Sequence, residues 1–501
     1  MEAVPQSQLT PQSTPQCAPQ RPPPSPRCQR LRAALAAAPA LAAGLALRLW
    51  MLKSLFLVNG DSLIYGDLAK NLLLNGRYDL TLGGGAPFPT LMRLPGYPLF
   101  LALCFRLFGI ENYFAVALVQ IALELLGCLL LADFAGRIPP PHLARGARLA
   151  TLWLAALCPF TASYAAIPLA ETLTLFALAL ALWSMARFHD RPGWATALCF
   201  TFAVTYAALL RPDGALAALA FAPALIVALT RSNTSVSIPP QKLLRMTLVC
   251  VLLALAPFAA WTWRNWRTFH VFQPLAPRYA QDPGEETHPG WQRWVKTWCL
   301  DFVSTYQVYW QVPGSTLDLK NLPSRAFDSP AQYAETAALA FNYNFRNGAK
   351  DIPPDIDAGF AKLAAERIAA HPLRYYLWLP LGRVADMGLR PRVENLNIDL
   401  DWWVYAHHHA ETRFSWAYAG LNALYLLLGA IGLLLRPRFW KAMLAYMLLR
   451  CAMLLTVEAP ETRYTLEWFP MLFALGGVAL YWLTNRVCLS VLKLKASPGR
   501  S

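Results

Sequence analysis

The chain has 501 residues, 56% of them hydrophobic and only 15% charged, with 44 Lys and Arg against 29 Asp and Glu for a net charge of +15. Soluble domains carry about a quarter charged residues, so this composition excludes an ordinary water-soluble globule and points to a membrane protein. The basic excess forms neither a single stripe nor a nucleic-acid motif; it is spread between apolar runs, which excludes nucleic acid as the partner.

Residues 1–30 are rich in Pro, Gln and Ser and are predicted to be a disordered cytoplasmic tail, too polar for a signal peptide. The apolar run that follows is too long for a signal-peptide core and is expected to be retained. Spans of the length a bilayer needs are predicted at 33–57, 113–135, 147–163, 170–187, 194–210, 214–230, 245–263, 417–435, 441–457 and 466–484. The chain thus divides into a transmembrane module at 31–263 with its first outer loop at 58–112, a large outer loop at 264–416, C-terminal helices at 417–485, and a cytoplasmic tail at 486–501. Two segments, "GYPLFLALCFRLFG" (96–109) and "HPLRYYLWLPLGRV" (371–384), are too short or too mixed to cross and read as interfacial helices. The fold expected is an all-α polytopic bundle of about ten transmembrane helices, with interfacial helices and one large outer loop.

Alternating the spans sorts the connections by charge. Arg27, Arg30 and Arg32, "GRIPPPHLARGAR", "RFHDRPG", "RSNTSVSIPPQKLLR", "RPRFWK" and the C-terminal tail are all basic, with Asp190 the single acid. The other set is mixed or acidic. By the positive-inside rule both termini are cytoplasmic. Asp61, Asp67, Glu171, Arg211, Asp213, Glu461 and Arg463 then share the outer side, although four separate connections supply them. Of ten cysteines, most fall in or beside apolar spans, and the absence of a CxxC pair argues against structural zinc.

Directly after the first span comes "DSLIYGDLAKNLLLNGRY" (61–78), then "RLPGYPLF" (93–100). Further on stand "LAETLTLFALAL" with Glu171, "LLRPDGALA" with Arg211, Asp213 and Gly214, and "PFAAWTWRNW" with Trp261, Arg264 and Asn265. "AAHPLRYY" and "ETRYTLEWFPML" complete the order. The series resembles the GT-C membrane glycosyltransferases, in particular the bacterial aminoarabinose transferase and the protein O-mannosyltransferases. Asp61, Ser62, Tyr65 and Ala69 match the acidic motif of their first outer loop. Ser62 stands where several relatives have Glu, so a carboxylate pair is missing there. A soluble domain like that of the eukaryotic mannosyltransferases is also missing, which favours the bacterial lipid or polysaccharide branch.

The resemblance implies a GT-C-type bundle and a polyprenyl-phosphate sugar donor. It also implies inverting displacement onto a glycolipid, polysaccharide or protein acceptor, at the periplasmic face of a bacterial inner membrane. Such a reaction needs a base for the acceptor hydroxyl and cations for the departing phosphate. Asp61 is the candidate base, its pKa expected to be raised by burial; alternatively it caps the helix that starts near Leu63. Glu171 is the second catalytic candidate, orienting the acceptor or joining Asp61 on a divalent cation; its other reading is a helix-start acid. Neither a metal nor another cofactor is required. Arg463, Arg211 and Arg264 are candidates for the donor phosphate, Arg463 first, against a headgroup anchor for Arg463 and pairing with Asp213 for Arg211. Tyr65, Asp67, Arg93, Tyr97 and Asp213 are substrate-binding candidates, with Tyr65 also readable as structural and Asp67 as a solvated partner of Lys70.

Three further features were weighed. The histidines at 407–409 point in different directions and read with Trp402, Trp403 and Tyr405 as an interfacial belt. The "GGG" at 83–85 lacks the setting of a phosphate loop. The aromatics of "WQRWVKTW" and "YQVYWQV" are expected to stack on sugar rings or to seat the outer loop on lipid. A lipid-linked-sugar flippase and a polysaccharide polymerase or ligase are the competing functions. A flippase favours midplane charges and paired repeats, whereas the charges here gather at one face.

Overall fold

The computed structural model describes residues 26–81, 85–230, 239–346, 349–399, 402–403 and 408–496. The predicted tail over 1–25, Gly83 and Gly84, the 231–238 loop, Tyr405, His407 and the end of the chain from 497 lie outside the described residues. Among the described residues the structure is helical apart from one short antiparallel ladder, in which Asp79 faces Pro89 and Leu80 faces Phe88.

Six helices are long and apolar enough to cross a membrane: Ala34–Leu55, Tyr113–Ala135, Ala170–Asp190, Gln241–Phe269, His409–Leu434 and Thr462–Cys488. Gly96–Phe108, Trp194–Leu210 and Pro212–Ile226 are shorter apolar helices. Six of the ten predicted spans therefore meet both criteria. The predicted 441–457 span is the 15-residue helix Trp440–Leu454. The predicted 147–163 span is two pieces, Pro141–Ala156 and Pro159–Ala165, because Pro159 disfavours helical backbone at Cys158, which is extended (φ −70°, ψ 112°).

Ala170–Asp190 runs through the middle of the bundle and is buried along most of its length. Gln241–Phe269 is its opposite, leaning on Trp194–Leu210 while Leu244, Leu248, Leu252 and Leu255 stay exposed. So continuous an apolar face is stable against lipid and not against water. The chain is an integral membrane protein.

The break at Cys158 frees carbonyl groups inside the bundle, where no water can serve them. Arg48, fully buried on the first span, donates to the carbonyls of Ala156 (2.6 Å) and Ala155 (3.4 Å), and its Nη2 meets Glu124 Oε1 at 2.8 Å. A cation thus closes the broken helix, and the acid on the Tyr113–Ala135 span balances it. Arg48→Met is expected to lower stability by about 3–5 kcal/mol, because it strands Glu124 as an unpaired buried charge. Thermal unfolding of the detergent-purified protein checks this, and adding Glu124→Gln should recover part of the loss.

The large outer loop has a core of its own. Trp291, Trp294 and Trp298 pack with Val295, Tyr343, Ile356, Phe360 and Leu363, and each of the three tryptophans is at most 2% exposed. Those tryptophans are therefore neither sugar-stacking platforms nor lipid anchors, contrary to the expectation for "WQRWVKTW": their helical spacing sends them inward. Tyr306 and Trp310 of the second aromatic piece are exposed. The segment predicted as interfacial at 371–384 is helical over Arg374–Leu389 and exposes Tyr376, Leu377 and Trp378, as a headgroup-level element would.

Candidate active site

Asp61 is the first residue of the helix Asp61–Asn75, which follows the first span. The N-cap is Gly60, with no side-chain capping bond, so the capping alternative for Asp61 is set aside. Its carboxylate points elsewhere: Oδ1 accepts from Arg93 Nη2 at 2.7 Å and Oδ2 from Arg463 Nη1 at 3.1 Å. Arg93 is delivered by the loop before Gly96–Phe108. Arg463 comes from the tight turn Thr462–Trp468 that opens the last span. One of the two arginines that grip this carboxylate thus comes from 402 positions along the chain.

The ion pairs continue from there. Arg463 lies 3.6 Å from Glu171, which is also 3.3 Å from Arg211. Arg211 reaches Asp213 at 3.3 Å and Glu467 at 3.4 Å. Arg450 then holds Asp213 and, at 2.9 Å, Glu467, which also accepts from the Tyr446 hydroxyl at 2.9 Å. Glu461 accepts from Arg463 and from the Tyr464 hydroxyl. Four guanidiniums and five carboxylates make one connected ribbon at one end of the bundle.

Two glycines make the convergence possible. A Cβ at Gly96 would lie 2.5 Å from the Leu209 carbonyl oxygen, and one at Gly214 would lie 2.1 Å from that of Ala207. Both loops are therefore folded hard onto the end of Trp194–Leu210, which brings Arg93 and Arg211 to the same rim.

Exposure divides the ribbon. The side chains of Asp61, Arg93, Arg463 and Arg211 are 18–24% exposed, whereas those of Glu171, Glu467 and Arg450 are 0–5% exposed. The buried part is a framework, since such charges persist out of water only when each has partners. The open part presents a carboxylate flanked by guanidiniums to whatever enters.

Burial pushes the Asp61 carboxyl toward its neutral form, but Arg463 and then Arg93 outweigh it and hold it below the usual carboxylate range. The expected upward shift is thus reversed, because two arginines share this acid. Arg93 in turn loses some of its charge preference to burial, but Asp61 more than restores it. Tyr65 is half-buried beside them, edge-on to Tyr97 at 5.0 Å, and burial raises its phenol to about 12, so it remains a donor.

Three predicted site residues have other work. Asp67 accepts from the Thr81 backbone and hydroxyl, each at 2.5 Å, and sits 3.6 Å from Lys70, fastening the helix to the following loop. Arg264 donates to the carbonyls of Thr90 (2.7 Å) and Tyr78 (2.8 Å), stapling the first outer loop to the end of Gln241–Phe269. Tyr97 is fully buried and bonds Gln120 at 2.7 Å.

Arg450, Glu467 and Tyr464 were not anticipated. The first two had a signal, being ionisable residues inside the apolar runs "YMLLRCAML" and "TLEWFPML". Asp61 and Glu171, the pair considered for a divalent cation, hold guanidiniums instead. Among the described residues, the group of three metal-ligating side chains lies elsewhere, at Asp399, His408 and Glu411.

Residues 90–271 match the family model described as dolichyl-phosphate-mannose-protein mannosyltransferase. The match takes in about a third of the chain. The matched stretch includes Arg93, Glu171, Arg211 and Asp213, while Asp61, Arg450 and Arg463 lie outside it. No match is found among curated proteins. Similar solved structures include the Archaeoglobus fulgidus oligosaccharyltransferase tethered to an acceptor peptide (12% identity, TM-score 0.49, 92% of this chain and 51% of that one). A second structure of that archaeal enzyme, AglB, with an inhibitory peptide and a dolichol-phosphate, is 12% identical (TM-score 0.47, 94% and 53%). ArnT from Cupriavidus metallidurans bound to undecaprenyl phosphate is 14% identical (TM-score 0.38, 92% and 81%). The chain spans about half the length of the archaeal enzyme.

Proposed function

We propose that the chain transfers a monosaccharide from a polyprenyl-phosphate donor to a hydroxyl of a lipid, polysaccharide or protein acceptor. The active face is taken to be periplasmic, in a bacterial inner membrane. The observation that carries this reading is the open rim of the ribbon, where a partly exposed carboxylate stands between partly exposed arginines at the edge of a lipid-embedded bundle. The family description of residues 90–271 supports the donor class.

In this reading Asp61 takes the proton of the acceptor hydroxyl as its oxygen attacks the anomeric carbon. The bond from that carbon to the phosphate oxygen breaks, the electron pair leaves with the lipid phosphate, and configuration inverts. Arg463 and Arg211 hold the phosphate, Arg463 being able to reach it only by loosening its hold on Asp61. That exchange has a consequence for the base. With one guanidinium turned to phosphate, Asp61 loses part of what keeps its pKa low and becomes a stronger proton acceptor only when donor is present. Glu171, between Arg211 and Arg463, sets their spacing.

The direct test is incubation of the purified protein in lipid nanodiscs with undecaprenyl-phosphate sugars, together with mass spectrometry of glycolipids and polysaccharide from cells with and without the gene. A product heavier by one sugar and released lipid monophosphate are expected. Released lipid diphosphate would instead identify a ligase using diphosphate-linked donors, and relocation of donor without a covalent product would identify a flippase.

A pH profile tests the electrostatics. Asp61 is ionised down to below the usual carboxylate range, so the acid limb of kcat/KM should lie below about pH 4. Arg93→Met removes one of two cations and leaves burial less opposed. The Asp61 pKa should rise, and the acid limb should move up with it. An unmoved limb would remove Asp61 as the titrating base.

A further inference from the structure

The run of three histidines has a use that its sequence pattern conceals. His408 is the N-cap of the span His409–Leu434, and Glu411 lies three residues on in its first turn, on the same face. Asp399 approaches from the connection that leaves Leu379–Leu389. The His408 Nδ1 atom is 3.5 Å from Asp399 Oδ2 and 3.6 Å from Glu411 Oε2, and one ligand atom from each residue lies within 4.8 Å of the others.

We infer that Asp399, His408 and Glu411 form a binding site for one zinc-class divalent cation. The separations carry the argument. A hydrogen bond between a ring nitrogen and a carboxylate runs at about 2.7–3.2 Å, so these contacts are too long. A tetrahedral ion with bonds of about 2.0–2.2 Å sets neighbouring ligand atoms about 3.3–3.6 Å apart, close to the two separations from His408. The two carboxylates lie within 4.8 Å of each other, and Glu411 Oε2 also accepts from the Asp399 backbone N–H at 3.3 Å. One imidazole and two carboxylates, with a fourth position open to water, suit zinc, cobalt or nickel better than calcium, which asks for six or more oxygens. The carboxylates of Asp399 and Glu411 are 68% and 33% exposed, so the ion has a route in from water. Of the three histidines, His408 alone is assigned as a ligand, in keeping with the divergent directions of consecutive side chains.

The ion would clip the connection after Leu389 to the first turn of a membrane span. The same connection carries Arg392, which donates to the Thr462 carbonyl at 2.9 Å and the Thr465 hydroxyl at 2.6 Å, beneath the turn that holds Arg463. The inference is independent of the proposed transfer activity, and so is its test. Full-length protein, stripped with chelator and titrated with Co2+, should take up one equivalent and show the intense visible absorption of tetrahedral cobalt. Zinc should displace that signal and raise Tm. Asp399→Asn and Glu411→Gln, both at exposed carboxylates that can be replaced without opening a core, should each weaken uptake at least tenfold and cancel the Tm rise. Lack of cobalt uptake by the wild-type chain at micromolar free metal, or equal uptake by the variants, would overturn the site.

Discussion

Asp61→Asn is expected to reduce sugar transfer by about 10^2–10^4-fold, the usual worth of a positioned general base, while leaving the protein folded. The substitution keeps size and shape but removes the negative charge and the ability to take a proton. Structure should survive because Arg463 keeps Glu461 and Glu171 as partners, and because Asp61 caps no helix. Donor binding should tighten or stay the same, since Arg463 no longer shares itself with a carboxylate at position 61. The expected signature is therefore a collapse of kcat with KM for the donor unchanged or lower and Tm near that of the wild type. Asp67→Asn provides the contrast: it loosens the Thr81 anchor, so Tm should fall while kcat per folded molecule holds. Transfer within tenfold of wild type in Asp61→Asn would assign the proton to another group and leave Asp61 as a clamp for Arg93 and Arg463.

The contrast between those two aspartates shows what sequence could and could not reveal. Both lie on one short helix directly after the first span, and the predicted side alone made both candidates. Placement on the outer face follows from the charge of the connections, which is a one-dimensional property. It grouped seven residues, of which Asp61, Glu171, Arg211, Asp213, Glu461 and Arg463 join the ribbon and Asp67 does not. Partner choice depends on contacts such as Asp61 with Arg463, 402 residues apart, and hydropathy carries no trace of these. The sign of the Asp61 pKa shift went wrong for that reason: burial was legible and the two arginines were not. Helix length was less legible: the 147–163 run is broken before Pro159 into Pro141–Ala156 and Pro159–Ala165, the 441–457 run is the 15-residue Trp440–Leu454, and buried Arg48 serves the carbonyls that the first break exposes. The outer-loop tryptophans were misplaced because an aromatic stripe reads alike whether it faces a ligand or a core.

Arg450→Met is expected to be the most destabilising single change in the ribbon, at about 3–5 kcal/mol. The Arg450 guanidinium is fully buried and neutralises Asp213 and Glu467 together, while also donating to the Tyr464 carbonyl at 2.8 Å. Methionine fills much of the volume but leaves those two acids with Arg211 as their remaining cation. If the cost is electrostatic, removing one of the stranded charges should repay part of it, so Arg450→Met with Glu467→Gln should be more stable than Arg450→Met alone, with a coupling of about 1–3 kcal/mol in a double-mutant cycle. If Arg450 matters only through packing, the second substitution should add its own damage and the double variant should be worse. The same logic reaches the rim. In Arg450→Met the two buried acids draw Arg211 inward and away from Glu171, so the protein that remains folded should show a raised KM for the lipid-phosphate donor with little change in kcat. In the double variant Arg211 is released and KM should return toward the wild-type value. Recovery of Tm without recovery of KM would mean that the buried half of the ribbon supports the fold but does not set the position of the arginine offered to phosphate.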